Sequence, residues 1–168
     1  MKVIFLDFDG VLNSAASFLV EDKIRKKHKR KKMCKVQETL CHVCTSNFQY
    51  LLDKVPDAKI VISSTWREIY ELDWLKDKLA EYGIDSSRVI DITPSSFSGP
   101  RGREIFMWLE EHKEVDKFVI LDDHHIGYGY TEENIVKTTW LAGLNLHHVS
   151  SAMKILGVEE KDEDLPLG

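Results

Sequence analysis

The chain is 168 residues long, 43% apolar and 30% charged, with a net charge of −5, which describes an ordinary globular protein able to bury one core. No apolar run reaches membrane-span length, acids at Asp7 and Asp9 interrupt what would be the apolar region of a signal peptide, and three cysteines are too few for a disulfide scaffold. Reduced thiols in a cytoplasm are the expectation.

In chain order, Val3-Ile4-Phe5-Leu6 is apolar without alternation and reads as a strand buried on both faces. It ends on Asp7 and Asp9, spaced i and i+2. A regular strand sends them the same way and buries Phe8 between them, and Gly10 then allows a sharp turn. Two crowded carboxylates call for a cation, and hard oxygen ligands suit Mg²⁺; an acidic turn without chemistry is the alternative. Ser14 to Val20 reads as a flap. From Lys23 to Lys35 there are nine Lys or Arg and no acid, so the remaining residues together carry −14. That stretch is expected to be exposed. It is a solvated face, a contact for nucleic-acid phosphates, or a steering patch for an anionic substrate. It has no interleaved aromatic residues to stack on bases, which weakens the second reading. Cys41-x-x-Cys44 has metal-ligand spacing, and zinc could be held with Cys34, His42 and His28. The ligand pattern is incomplete, so packing cysteines are the favoured reading.

A helix is predicted from Thr45 or Ser46 to about Val55, and a second strand from Lys59 to Ile62 ends in Ser63, Ser64 and Thr65. Helix is predicted from Trp66 to Tyr82 with an interruption near Asp73, and Gly83 closes it. Arg88 to Ile92 is a third strand. Pro100 sits in the first turn of a helix running to about His112. Lys117 to Leu121 is a fourth strand, ending at Asp122-Asp123-His124-His125, and Asn134 to Thr138 a fifth. The last helix starts at Leu144-Asn145 and ends at Leu156. Strands alternating with helices imply an α/β fold with a mostly parallel five-stranded sheet, in which ligands bind beyond the carboxyl ends of the strands. Asp7/Asp9, Ser63/Ser64/Thr65 and Asp122/Asp123 all fall at such ends. One domain over 1–168 is expected, with an insert at about 17–44 and an acidic tail at about 159–168.

The residues Asp7-Phe8-Asp9-Gly10-Val11, the strand-terminal Ser64, a cation in Arg101-Gly102-Arg103-Glu104-Ile105, and Asp122-Asp123 together resemble the haloacid dehalogenase (HAD) superfamily of phosphohydrolases. More narrowly, Ile62-Ser63-Ser64-Thr65-Trp66-Arg67, Arg101-Gly102-x-Glu104-Ile105-x-x-Trp108-Leu109, Val119-Ile120-Leu121-Asp122-Asp123 and Gly143-Leu144 look like the HAD domain of multidomain Swiss army knife RNA repair proteins. The match runs from Lys2 to about Leu156 and leaves out the insert. It implies a three-layer α/β/α Rossmann-like fold.

The resemblance further implies Asp7 as the nucleophile forming an aspartyl-phosphate, and Asp9 as general acid and then base. Ser64 would bind a phosphoryl oxygen, with Thr65 or Ser63 beside it. Arg101 would neutralise the phosphoryl charge, with Arg103 its nearest rival. Asp122 and Asp123 would hold Mg²⁺ with Asp7 and the Asp9 backbone carbonyl. The activity so implied is a Mg²⁺-dependent phosphomonoesterase. The absence of a large cap and the basic segment direct it to nucleic-acid ends, RNA or DNA, with a 3′ phosphate. A phosphatase of nucleotides or other small phosphoesters, and a low-turnover nucleic-acid-binding module, are the other readings. Among the residues beside this set, Arg67 is expected to pair with an acid or stack on an aromatic. His124, His125, His147 and His148 read as surface, and Trp66, Trp74, Trp108 and Trp140 as core or sheet-covering aromatics.

Overall fold

A computed structural model describes residues 1–27, 38–95, 99–124, 126–127 and 133–158. Five strands, β1 (Lys2–Leu6), β2 (Ala58–Ile62), β3 (Val89–Ile92), β4 (Lys117–Asp122) and β5 (Ile135–Lys137), form one sheet in the order β3-β2-β1-β4-β5. Every pairing is parallel, so the expected mostly parallel sheet is parallel throughout. The unbroken apolar run of β1 follows from this: Ile4 and Leu6 enter the core on one face, Val3 and Phe5 on the other. The first face is covered by α2 (His42–Lys54), α3 (Leu72–Glu81) and α5 (Leu146–Ile155), through Phe48, Leu52, Leu75, Leu79, Val149 and Met153. The second is covered by α4 (Arg101–Glu111), whose Ile105 and Trp108 pack on Phe5 and Ile120. Trp108 meets Phe5 edge to face at 5.5 Å. The result is the three-layer α/β/α arrangement of the HAD fold.

Several element boundaries depart from expectation, each for a local reason. The stretch read as a flap is the start of a helix, α1 (Ala15–Lys27). Ser14 and Ser17 make reciprocal side-chain bonds to each other's backbone N–H, at 3.2 and 3.0 Å, and so supply an N-terminal cap. Helix α2 begins three residues before the expected cap, because Thr45 Oγ1 turns back to donate to the Cys41 and His42 carbonyls instead of capping. Between Trp66 and Tyr82 the break falls ahead of Asp73: a short 3-10 turn, Thr65–Glu68, is followed by α3. Arg88 lies just outside β3 because its buried guanidinium donates to the carbonyls of Leu52, Val55 and Ala58, satisfying the end of α2. The basic run beyond Lys27, with Cys34, and the acidic tail lie outside the described residues. No helix among the described residues is long and apolar enough to cross a membrane.

Candidate active site

The sheet order reverses between β1 and β4, and a crevice opens there at the carboxyl ends of the strands. Leu6 and Leu121 are register partners, and the Asp7 N–H donates to the Leu121 carbonyl at 3.1 Å, so Asp7 lies beside Asp122. Gly10 turns the chain with φ +73°, so close to β4 that a Cβ there would stand 2.3 Å from Asp123 Cγ. Thr138, just after β5, fastens this turn by donating to the Gly10 carbonyl at 2.6 Å, and its own N–H donates to the Asp122 carbonyl at 3.0 Å.

Asp7, Asp122, Asp123 and His124 each present a ligand atom within 4.8 Å of the others. Asp7 and Asp122 are buried. Asp123 Oδ1 is buried without a hydrogen bond; His124 Nδ1 lies 2.5 Å from it but lacks hydrogen-bond alignment. A buried, unsatisfied carboxylate oxygen among further aspartates is a donor set that fits a hard cation such as Mg²⁺. The Asp9 carboxylate is not in this group. It accepts from Asn13 Nδ2 at 2.8 Å and from the Trp66 indole at 2.9 Å, which fixes it beside the crevice.

The cation between the carboxylates is Arg101. Its Nη1 is 2.6 Å from Asp7 Oδ2 and 2.8 Å from Asp122 Oδ2, while Arg103 is exposed on α4. Burial raises Asp7 from an ordinary carboxyl value to about 6; Arg101 opposes this, Asp122 reinforces it, and the Ser64 hydroxyl pulls it back through a hydrogen bond. Burial raises Asp122 as well, again against the pull of Arg101. Burial disfavours the Arg101 charge, but its two carboxylate partners outweigh that and hold it above its usual range.

Ser64 also caps the 3-10 turn, accepting from the Trp66 N–H at 3.4 Å. Thr65 is exposed on the crevice, and the buried Ser63 hydroxyl has no hydrogen bond. Arg67 is paired as expected: it bonds the buried Glu104 of α4 and donates to the Ser64 carbonyl at 2.6 Å and the Thr93 carbonyl at 3.1 Å. This pair ties the strand end that carries Ser64 to the helix that carries Arg101.

Sequence reasoning missed three contributors. Asn13 and Trp66, which orient Asp9, are signalled only by the i,i+4 spacing of Asp9 and Asn13. Thr138 has no local signal. His124 is exposed as expected, yet it stands among the clustered ligands. His125 lies outside the described residues, His147 is exposed, and His148 is half-buried, accepting from the Asn145 N–H in the cap of α5. Trp140 is 47% exposed, which corrects its reading as a core or sheet-covering ring; its indole lines the crevice with Phe18. Of the zinc candidates, Cys41 and Cys44 lie side by side with their thiols hydrogen-bonded, but no third ligand joins them among the described residues, and His28 and Cys34 lie outside these. His42 packs against Tyr82 at 5.0 Å, and Cys44 is buried against Gly143.

A parallel sheet whose strand ends gather three aspartates, a partly buried arginine and a serine hydroxyl defines an α/β domain of the phosphohydrolase type. The family profile for the HAD domain in Swiss Army Knife RNA repair proteins matches residues 3–149, and the chain belongs to that family. No curated protein and no solved structure matches the chain.

Proposed function

We propose that the protein is a Mg²⁺-dependent phosphomonoesterase that works through an aspartyl-phosphate at Asp7, with a nucleic-acid 3′ phosphate as substrate. The observation that carries this is the placement of Arg101 between Asp7 and Asp122: a buried carboxylate is held ionisable and aimed by a cation that can also meet the phosphoryl oxygens. Asp7 attacks phosphorus, the ester P–O bond breaks, and the leaving oxygen takes a proton from Asp9, which the Trp66 and Asn13 hydrogen bonds keep in reach. In the second half Asp9 removes a proton from water, and the water oxygen displaces Asp7 from phosphorus. Ser64 donates to a phosphoryl oxygen, with Thr65 next to it, and Arg101 offsets the accumulated negative charge. Asp7, Asp122, Asp123 and the Asp9 backbone carbonyl would hold Mg²⁺, which when bound supplies positive charge where two anions must meet.

Support for a nucleic-acid end comes from the family, from the basic run after Phe18, and from a crevice with a volume of about 720 Å³. The test is phosphate release from p-nitrophenyl phosphate and from 3′-phosphorylated oligoribonucleotides in the presence of Mg²⁺. Release from both is expected, falling at least about a thousandfold in Asp7→Asn. RNA binding that survives Asp7→Asn, with no release from either substrate, would leave a binding module instead.

A further inference from the structure

The crevice extends well beyond what a phosphate needs. Besides Asp9, Thr65, Asp123 and His124 it is lined by Phe18, Trp66, Ile69, Tyr70 and Trp140. Two ring pairs stand along it: Phe18 with Trp140 at 5.6 Å between centroids, and Trp66 with Tyr70 at 5.8 Å. Trp140 is 47% exposed and Ile69 74% exposed, so large apolar surfaces are left in water beside the acidic cluster. The Trp140 backbone is tied to the first turn of α1, where the Ala15 N–H donates to its carbonyl at 2.9 Å, and its ring rests against Phe18. Polar and aromatic side chains therefore line one and the same crevice.

We propose that this aromatic part of the crevice is a base-stacking subsite: Phe18 and Trp140, with Tyr70 and the edge of Trp66, receive the nucleobase of the nucleotide whose terminal phosphate enters at Asp7. This rests on the phosphomonoesterase reading for where the phosphate sits. The volume of about 720 Å³ is in the range of pockets that enclose a small organic ligand. Every base has a π face, so an aromatic platform accepts any of them. Helix α1 supplies the argument for a polyanion over a phosphoprotein. It carries Phe18 into the crevice and leads on to exposed Lys23 and Lys27, which roughly 3.6 residues per turn places about 140° to 180° round the helix from Phe18, at the start of the basic run. Rings in the crevice and cations on the far side of the same helix match a strand whose last base is stacked and whose earlier phosphates cross over the helix. The basic run itself has no aromatic residues; the fold supplies them from elsewhere in the chain.

The test is calorimetric titration of the full chain in the Asp7→Asn background, where the probe is not consumed. Adenosine 3′-monophosphate is compared with glycerol phosphate and with a phosphotyrosine peptide. The nucleotide is expected to bind about tenfold or more tighter than glycerol phosphate. Trp140→Ala removes that preference, Trp140→Phe keeps most of it, and Phe18→Leu reduces it as an independent variant. Equal affinity for nucleotide and glycerol phosphate would overturn the proposal. So would undetectable nucleotide binding, equal weakening of both probes by Trp140→Ala, or tighter binding of the peptide. Phosphate release by the unsubstituted chain is scored separately: a base preference without turnover sinks the phosphomonoesterase and keeps the subsite, and turnover without a base preference does the reverse.

Discussion

Asp7 is asked to be ionised in a place that disfavours ionisation. Its carboxyl is held near 6 by burial, above its value of about 4 in an unfolded chain, so the folded protein without metal binds its proton more tightly than the unfolded one does. Below pH 4 the group is protonated in both states and contributes no difference. Stability is therefore lost as pH rises from about 4 to about 6, and the full penalty stands above that. In EDTA, Asp7→Asn is expected to be more stable than the unsubstituted protein at pH 8, by an amount on the order of 2 to 3 kcal/mol, and equally stable near pH 4. Urea titrations at the two pH values measure this, and a gap that stays constant with pH would contradict it. Gly10 is the second sensitive residue. Its positive φ and a Cβ position 2.3 Å from Asp123 Cγ leave no room for a side chain, so Gly10→Ala must displace Asp123. The expected result is a Mg²⁺ affinity reduced by about tenfold or more, read by calorimetry, with the sheet intact by circular dichroism.

Between elements, the Arg67–Glu104 pair does the joining. Both side chains are almost wholly buried, and together with the Ser64 and Thr93 carbonyls they fix the end of β2 against the first turn of α4. A buried pair of this kind adds little net stability over an apolar one, but removing one partner leaves the other charge unpaired in the interior. Glu104→Ala is expected to cost about 3 to 5 kcal/mol in denaturant unfolding and to loosen Arg101 from Asp7. The double variant Arg67→Met with Glu104→Leu is expected to recover much of the stability and little of the activity. At this scale the central strands β1, β2 and β4 were legible because a strand buried on both faces is a short apolar run with no competing pattern. The start of α1 was not, because its cap is a serine pair and its sequence has no apolar stripe. The start of α2 was misplaced because a threonine near a helix start reads as a cap whether it bonds forward or, as Thr45 does, backward.

Across the whole molecule the charges are divided: clustered carboxylates at the carboxyl ends of the central strands, a cationic run after Phe18. Binding a divalent cation to the folded state alone should raise stability in proportion to saturation, by about 2.7 kcal/mol at a hundred times Kd. Thermal melts with and without Mg²⁺ are expected to separate for the unsubstituted chain and to coincide for Asp122→Asn with Asp123→Asn; melts that shift equally in both would place the ion elsewhere. The positions of the strands along the chain, the acids at their ends and the family resemblance were readable from sequence alone, because apolar runs and polar punctuation are properties of neighbouring residues. Which arginine reaches Asp7, what steadies Asp9, and that Trp140 opens onto the crevice were decided only by the fold. The Trp66–Asp9, Arg101–Asp7 and Phe18–Trp140 contacts join residues 57, 94 and 122 positions apart, and no periodicity in a chain encodes the distance between groups that meet only when the sheet closes.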